Sequence, residues 1–189
     1  MIDILVTDTS PLITLAYGLH LEALRLPKIR IVVPDAVIEE ATRKDYGFSG
    51  AAIYDFSIKN RDIFTIQMTT TGMQRRALLA MNASVKGLGE KSVMEVLDSY
   101  TAADPTRKVL LLYEDKDVTS KKFIIPKNVS PITTGDFLRT LESKGLIQSA
   151  EETLADAEIR GQNVERNRRS TSQQSSIQAL EDHIDKMSR

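Results

Sequence analysis

The chain has 189 residues, 41% of them hydrophobic and 27% charged, enough for one well-packed domain with an appendage and unlike a chain disordered over most of its length. A formal net charge of −1 sets up no global field for nucleic acid, so any such contact has to come from a local basic face. With no cysteine and only His20 and His183, a disulfide framework, a thiolate zinc site, a cysteine nucleophile and histidine-based zinc or triad chemistry are set aside.

The N-terminus lacks a basic segment followed by a long apolar stretch, and no window reaches the roughly 20 apolar residues of a membrane span. The expectation is a soluble cytoplasmic protein with no membrane contact. Ile2 to Thr7 is a short β-rich run ending at Asp8, and Thr9-Ser10-Pro11 opens a helical stretch through Leu12, Ile13, Leu15 and Ala16. Arg30 to Val33 is a second such run, after which Pro34 and Asp35 begin a helix through Val37, Ile38 and Ala41. Gly50 to Ile58 and Met73 to Val85 read as helices around a third strand at Phe64 to Met68, and Gly87-Leu88-Gly89 breaks the chain.

From Glu90, the spacing of Val93, Met94 and Leu97 predicts a helix to about Tyr100. Val109 to Tyr113 is the near-continuous apolar run of a strand buried on both faces, closed by Glu114-Asp115-Lys116-Asp117. Val129 to Ile132 reads as an edge strand, because Pro131 has no N–H for a central ladder. Thr133 with Asp136 marks a helix start, and Gly145 its end. The alternation of strands and helices predicts an α/β domain with a central, mostly parallel sheet.

Past Gln148 the composition turns to Ser, Gln, Glu and Arg, which divides the chain into a domain over 1–148 and a polar, partly helical tail over 149–189. Ile177, Leu180, Ile184 and Met187 form an apolar seam about a heptad and a half long, too short for a coiled coil by itself. No glycine loop suited to cradling a nucleotide phosphate is present.

In parallel α/β sheets, ligands bind outside the carboxyl ends of the strands. Asp8 and Asp115 follow strands directly, while Glu90 and Glu40 begin or ride helices that can line the same crevice. Carboxylates crowded together repel one another unless a cation neutralises them, and oxygen-only donors favour hard ions such as Mg2+ or Mn2+. Phosphodiester hydrolysis is the chemistry that such a site supports best. Against this stands a plainer account in which Asp8 caps a helix, Glu90 favours the positive end of another, and Glu114, Asp115 and Asp117 form a solvated turn.

Four segments, Val6-Thr7-Asp8-Thr9-Ser10-Pro11-Leu12-Ile13, Val33-Pro34-Asp35-Ala36-Val37-Ile38-Glu39-Glu40, Gly87-Leu88-Gly89-Glu90 and Leu110-Leu111-Leu112-Tyr113-Glu114-Asp115-Lys116-Asp117, together resemble a PIN-domain ribonuclease over Met1 to Gln148. The stretch Thr133 to Ile147 is similar to the last helix of that family. The resemblance implies a PIN-like α/β/α sandwich and a metal-dependent endoribonuclease acting on single-stranded RNA. It implies Asp8, Glu40, Glu90 and Asp115 as catalytic residues, Asp8, Glu90, Asp115 and Asp117 around Mg2+ or Mn2+, and Ser10 as a nearby hydrogen-bonding group. Glu39 and Glu40 are adjacent on one helix, so only one of them can face the crevice. Tyr113 departs from the threonine of many relatives, and Glu114 is either a further ligand or a bystander.

Many small members of the family resemble the VapC-type toxins of toxin-antitoxin pairs, which implies a homodimer and a cognate antitoxin. Lys116, Lys121, Lys122 and Lys127, and Arg75, Arg76, Lys86 and Lys91 around the Gly87 turn, are the cations available for RNA phosphates. Two competing functions remain at this level: a catalytically inactive PIN-like module that binds RNA or protein, and an aspartate phosphotransferase. The second is disfavoured because Asp8-Thr9-Ser10 lacks the second aspartate of that nucleophile motif.

Overall fold

Apolar, β-branched runs become five strands, and the amphipathic stretches between them become helices: β1 (Ile4–Thr7), α1 (Thr9–Tyr17), β2 (Arg30–Pro34), α2 (Asp35–Ala41), α3 (Gly47–Lys59), β3 (Phe64–Gln67), α4 (Thr70–Ala80), α5 (Leu88–Ala103), β4 (Val109–Tyr113), β5 (Val129–Thr133), α6 (Thr134–Ser143), α7 (Ala150–Ile159) and α8 (Gln174–Met187). This computed structural model describes residues 1–43, 47–114 and 124–188. The strands form one sheet in the order β3-β2-β1-β4-β5, parallel at every pairing. The expected α/β architecture is thus present, with a sheet that is wholly parallel.

Strands β1 to β3 step toward one edge, and the chain then returns across the sheet to β4 on the far side of β1. Right-handed crossovers in opposite directions place their helices on opposite faces. Accordingly α5 lies on β1 and β2, whereas α1 lies on β4 and packs against α3 and α7; α2 touches both α1 and α5. Leu5, Ile31, Val32, Leu110, Leu111 and Leu112 have no exposed surface, which is why these strands read as apolar runs without alternation. Each large side chain buried this way contributes about 1.5–3 kcal/mol.

Pro131 lies in β5, which pairs only with β4, as the missing N–H requires. Helix α4 differs from its sequence expectation. It starts at Thr70 because the Thr69 hydroxyl accepts from the Gly72 N–H at 2.8 Å, and it ends at Ala80. The threonine run Thr69-Thr70-Thr71 was the local start signal, and the apolar spacing from Met73 obscured it.

Within 149–189 two helices dock on the sheet layers. Helix α7 buries Leu154 and Ala157 and lies along α1, where a Cβ on Gly18 would stand 2.7 Å from the Thr153 carbonyl. Helix α8 covers β5 and α6 with Leu180 and Ile184, so the middle of the short apolar seam is spent within the chain while Met187 at its end stays exposed. His183 is 2% exposed; its Nδ1 accepts from the Ile2 N–H at 3.0 Å, and its Nε2 lies 2.8 Å from the Pro27 carbonyl. That arrangement uses the neutral imidazole as a clamp between α8, the N-terminus and the loop before β2.

Candidate active site

The strand order reverses between β1 and β4, and ligand clefts in such sheets open at that point. Thr7 is registered with Leu112, and the Asp8 N–H continues the ladder to the Leu112 carbonyl at 3.1 Å. Asp8 then leaves the sheet at the start of α1. It occupies the N-cap position but makes no capping hydrogen bond through its side chain, so the simple capping account fails for this residue. Asp8 is nevertheless a buried residue, 5% exposed.

Asp8 lines a cleft of about 160 Å³ together with Thr9, Ser10, Ile13, Glu40, Gly89 and Glu90. Three elements supply these groups: α1, α2 and α5. The walls are polar apart from Ile13. The Thr9 hydroxyl lies 3.4 Å from Glu40 Oε2 and orients that carboxylate over the cleft. Gly87, in the left-handed region at φ 76°, turns the chain into α5. Gly89 then passes so close to Glu40 that a Cβ there would stand 2.9 Å from Oε2.

The choice between Glu39 and Glu40 is made by packing. Glu39 points to α4, where it accepts from Arg75 at 3.1 Å and Arg76 at 2.6 Å. Arg76 also reaches Asp35 at 2.7 Å, and Asp35 accepts from the Thr69 N–H at 3.1 Å and its hydroxyl at 2.6 Å. One residue is about 100° of helix, so Glu40 is turned toward α1 and α5. The same pairs correct the reading of Arg75 as a phosphate contact, since it is 3% exposed and ties α4 to α2; Arg76 pairs with Asp35 and Glu39 through Nη1 and keeps 36% of its side chain exposed. The Arg76 pKa is raised by its hydrogen bonds to Glu39 and Asp35.

Other cations are exposed: Lys86 and Lys91, on either side of the Gly87 turn that leads to the cleft-lining Gly89 and Glu90, and Lys127, which precedes β5 at the opposite, N-terminal end of the strands. Asp115, Lys116, Asp117, Lys121 and Lys122 lie outside the described residues. Among the described residues no three acidic or histidine side chains already form a metal-binding group. The donor set is all oxygen, with carboxylates from Asp8, Glu40 and Glu90 and hydroxyls from Thr9 and Ser10. That set fits a hard divalent ion and offers nothing to a soft one.

The contacts of three features are not visible in the motifs. Thr9 and Gly89 shape the Glu40 position, as above. Glu95, also on α5, accepts from the Thr70 N–H at 2.6 Å and the Thr71 N–H at 2.9 Å. Burial pushes its carboxyl up, but the Thr71 and Thr70 backbone donors outweigh this and hold it below the ordinary range. Glu114, at the end of β4, accepts from the Thr14 hydroxyl at 3.1 Å. Its burial raises its pKa, and the polar groups of Thr134, Thr14 and Asn167 offset only part of that rise.

No described helix is long and apolar enough to cross a membrane. No curated protein and no solved structure matches the chain significantly. A family model described as a PIN domain matches residues 4–157. That stretch contains the whole sheet, the cleft and most of α7, and the parallel order with acids at the strand ends suits it. The chain belongs to the PIN-domain family.

Proposed function

We propose that the protein is a metal-dependent endoribonuclease that hydrolyses single-stranded RNA, and that it serves as the toxin of a toxin-antitoxin pair. PIN domains are generally nucleases, which makes nucleic acid the expected substrate. The observation that carries the reading is the meeting of Asp8, Glu40 and Glu90, from three separate elements, in one polar cleft at the sheet's reversal point. Fold alone would not assign an activity; this constellation supports it.

In this reading Asp8 and Glu90, with Asp115 and Asp117, hold Mg2+ or Mn2+. When bound, such ions supply an activated water and neutralise charge on the phosphodiester. Glu40 accepts a proton from the attacking water and is kept in place by the Thr9 hydroxyl. Ser10 donates a hydrogen bond into the cleft. Lys86 and Lys91 bind RNA backbone at its rim, joined by Lys116, Lys121 and Lys122. A homodimer is the assembly proposed. The exposed apolar side chains Tyr54 and Ile58, one turn apart on α3, are available for it, at 58% and 41% exposure.

The test is cleavage of end-labelled single-stranded RNA by the purified chain with Mg2+ or Mn2+. Cleavage should vanish with excess chelator and fall by roughly 10²-fold or more in Asp8→Asn and Glu40→Gln. Activity that survives either treatment refutes the mechanism. Metal-independent RNA binding without cleavage would instead establish the inactive module. Induced expression should arrest growth, with relief by a co-expressed antitoxin encoded beside it.

A further inference from the structure

We infer that the N-terminal end of the sheet, opposite the cleft, is a second RNA-binding surface that grips the phosphate backbone, an extension that rests on the nuclease reading for the identity of the polyanion. In a wholly parallel sheet every strand starts at the same end, and here the residues leading into the strands are basic. Lys28 and Arg30 lead into and open β2, Arg61 precedes β3, Lys108 precedes β4 and Lys127 precedes β5; all are exposed. Pairing sets the strand starts side by side: Arg30 is registered with Ile4, Ile4 with Val109, and Val109 with Val129. At about 4.8 Å per strand, the starts from β3 to β5 span roughly 19 Å, so these cations form a row along one end of the molecule.

Helix α8 extends the row. His183 ties it to this end through the Ile2 N–H and the carbonyl of Pro27, the residue before Lys28. Lys186, one turn after His183, shares a hollow of about 280 Å³ with Lys108, Ser130, Ser175 and Gln178. Two ammonium groups and three hydrogen-bonding side chains around one hollow are donors of the kind that hold a phosphodiester. Lys28 lies in the left-handed region at φ 53°, where the turn's backbone would favour glycine or asparagine, so the exposed cation is not a choice made by the turn.

The charge is local and unmatched. None of Lys28, Arg30, Arg61, Lys108, Lys127 and Lys186 forms an ion pair among the described residues. Of the acids nearby, Glu22, Asp55 and Asp104 have Arg25, Lys59 and Arg107 beside them. Asp3 accepts the Lys108 N–H at 2.8 Å, Asp182 accepts from Gln178 at 2.8 Å, and Asp62 is exposed. Of the row only Lys186 lies in the last turn of a helix, so complementing a helix dipole does not account for it. The cleft acids Asp8, Glu40 and Glu90 lie at the strands' other end. A net charge of −1 therefore hides a molecule whose two ends differ in sign, and the basic end attracts a polyanion. The strands are 4 or 5 residues long, about 17 Å at most, so RNA held at one end can loop to the cleft at the other.

The experiment measures the anisotropy of fluorescein-labelled single-stranded RNA with chelator present, so that binding is read without cleavage. The RNA is about 30 nucleotides long, beyond the roughly 4–16 that one groove covers. Arg61→Ala/Lys108→Ala/Lys186→Ala should bind about tenfold more weakly at low salt and lower the slope of log K against log salt by about 2. In Mn2+ its KM for the same RNA should rise about tenfold with kcat within about twofold of wild type. Arg25→Ala/Arg160→Ala/Arg168→Ala removes the same charge from arginines already matched by carboxylates and should bind within about twofold of wild type. If the first triple variant fails to fold, Lys108→Glu alone should weaken binding about fivefold. Equal losses in the two triple variants assign the effect to net charge and overturn the inference. Binding by the first that matches wild type also overturns it, as does uptake by anionic phospholipid vesicles without RNA binding. A wild-type chain that binds RNA through this end but never cleaves it sinks the nuclease reading and leaves the second surface standing.

Discussion

Glu40 and Gly89 meet across the cleft so closely that the glycine's missing Cβ would lie 2.9 Å from the Glu40 Oε2 atom. A Cβ at this position would therefore displace the end of the Glu40 side chain rather than any backbone. The backbone of Gly89 is otherwise ordinary helix, because among the described glycines positive φ is confined to Gly47, Gly87, Gly145 and Gly161. Gly89→Ala should thus leave stability unchanged or raise it by up to about 1 kcal/mol through the unfolded chain's lost freedom. Cleavage should fall several-fold as the Glu40 carboxylate is pushed aside. Paired measurements of unfolding temperature and cleavage rate check this, and a parallel loss of both would show that the glycine serves only packing.

Glu39 and Glu40 should separate cleanly in a matched pair of variants. Glu39→Gln leaves the guanidinium of Arg75, 3% exposed, without its full charge partner, and should cost about 1–3 kcal/mol in urea unfolding. Its cleavage rate should stay near wild type. Glu40→Gln should do the opposite, with unfolding preserved and cleavage reduced by roughly 10²-fold. Equal losses of activity in both would contradict the rotational setting of α2.

Asp136 gives the fold a dependence on acid. It is 2% exposed; burial pushes its carboxyl up, but the Ser172 hydroxyl and N–H, Arg139 and Ser170 outweigh this and hold it well below the usual aspartate range. The folded pKa lies below the unfolded value, so the folded state binds fewer protons between the two. Its stabilisation is present in full above the ordinary aspartate pKa of about 3.9 and is lost as pH falls below it. Asp136→Asn should lose about 2–4 kcal/mol at pH 7 and show a shallower decline of stability below about pH 4. Urea midpoints at pH 3, 4 and 7 measure both effects.

The C-terminal helix should be needed for stability. Leu180 has no exposed surface under α8, and Leu180→Ala is expected to cost about 2–5 kcal/mol. Truncation after Gly161 would remove α8 and the His183 clamp on Ile2 and Pro27. Such a chain should show a lower unfolding temperature and faster amide exchange in β5, the strand α8 covers. Unchanged exchange there would mean that α8 rests on the domain without supporting it.

Much of this was legible along the chain because it is local chemistry. Val109 to Tyr113 reads as a doubly buried strand, Pro131 as an edge position and Thr133 with Asp136 as a helix start, since each depends on neighbours within a few residues. The placement of Asp8 and Glu90 beside helix starts was legible for the same reason. What tertiary structure alone decided is which groups face each other across elements. The rotation of α2 that turns Glu40 into the cleft is set by Arg75 and Arg76 taking Glu39. The first of these pairs buries Arg75 away from any phosphate. Helix α8, polar in sequence, finds its apolar partner in β5 and α6, and Gln162 reaches Thr14 from 148 positions away along the chain. Side-chain period and capping are properties of a segment, whereas the facing of one helix toward another is fixed by the shape and charge of surfaces brought together by folding, which no single segment contains.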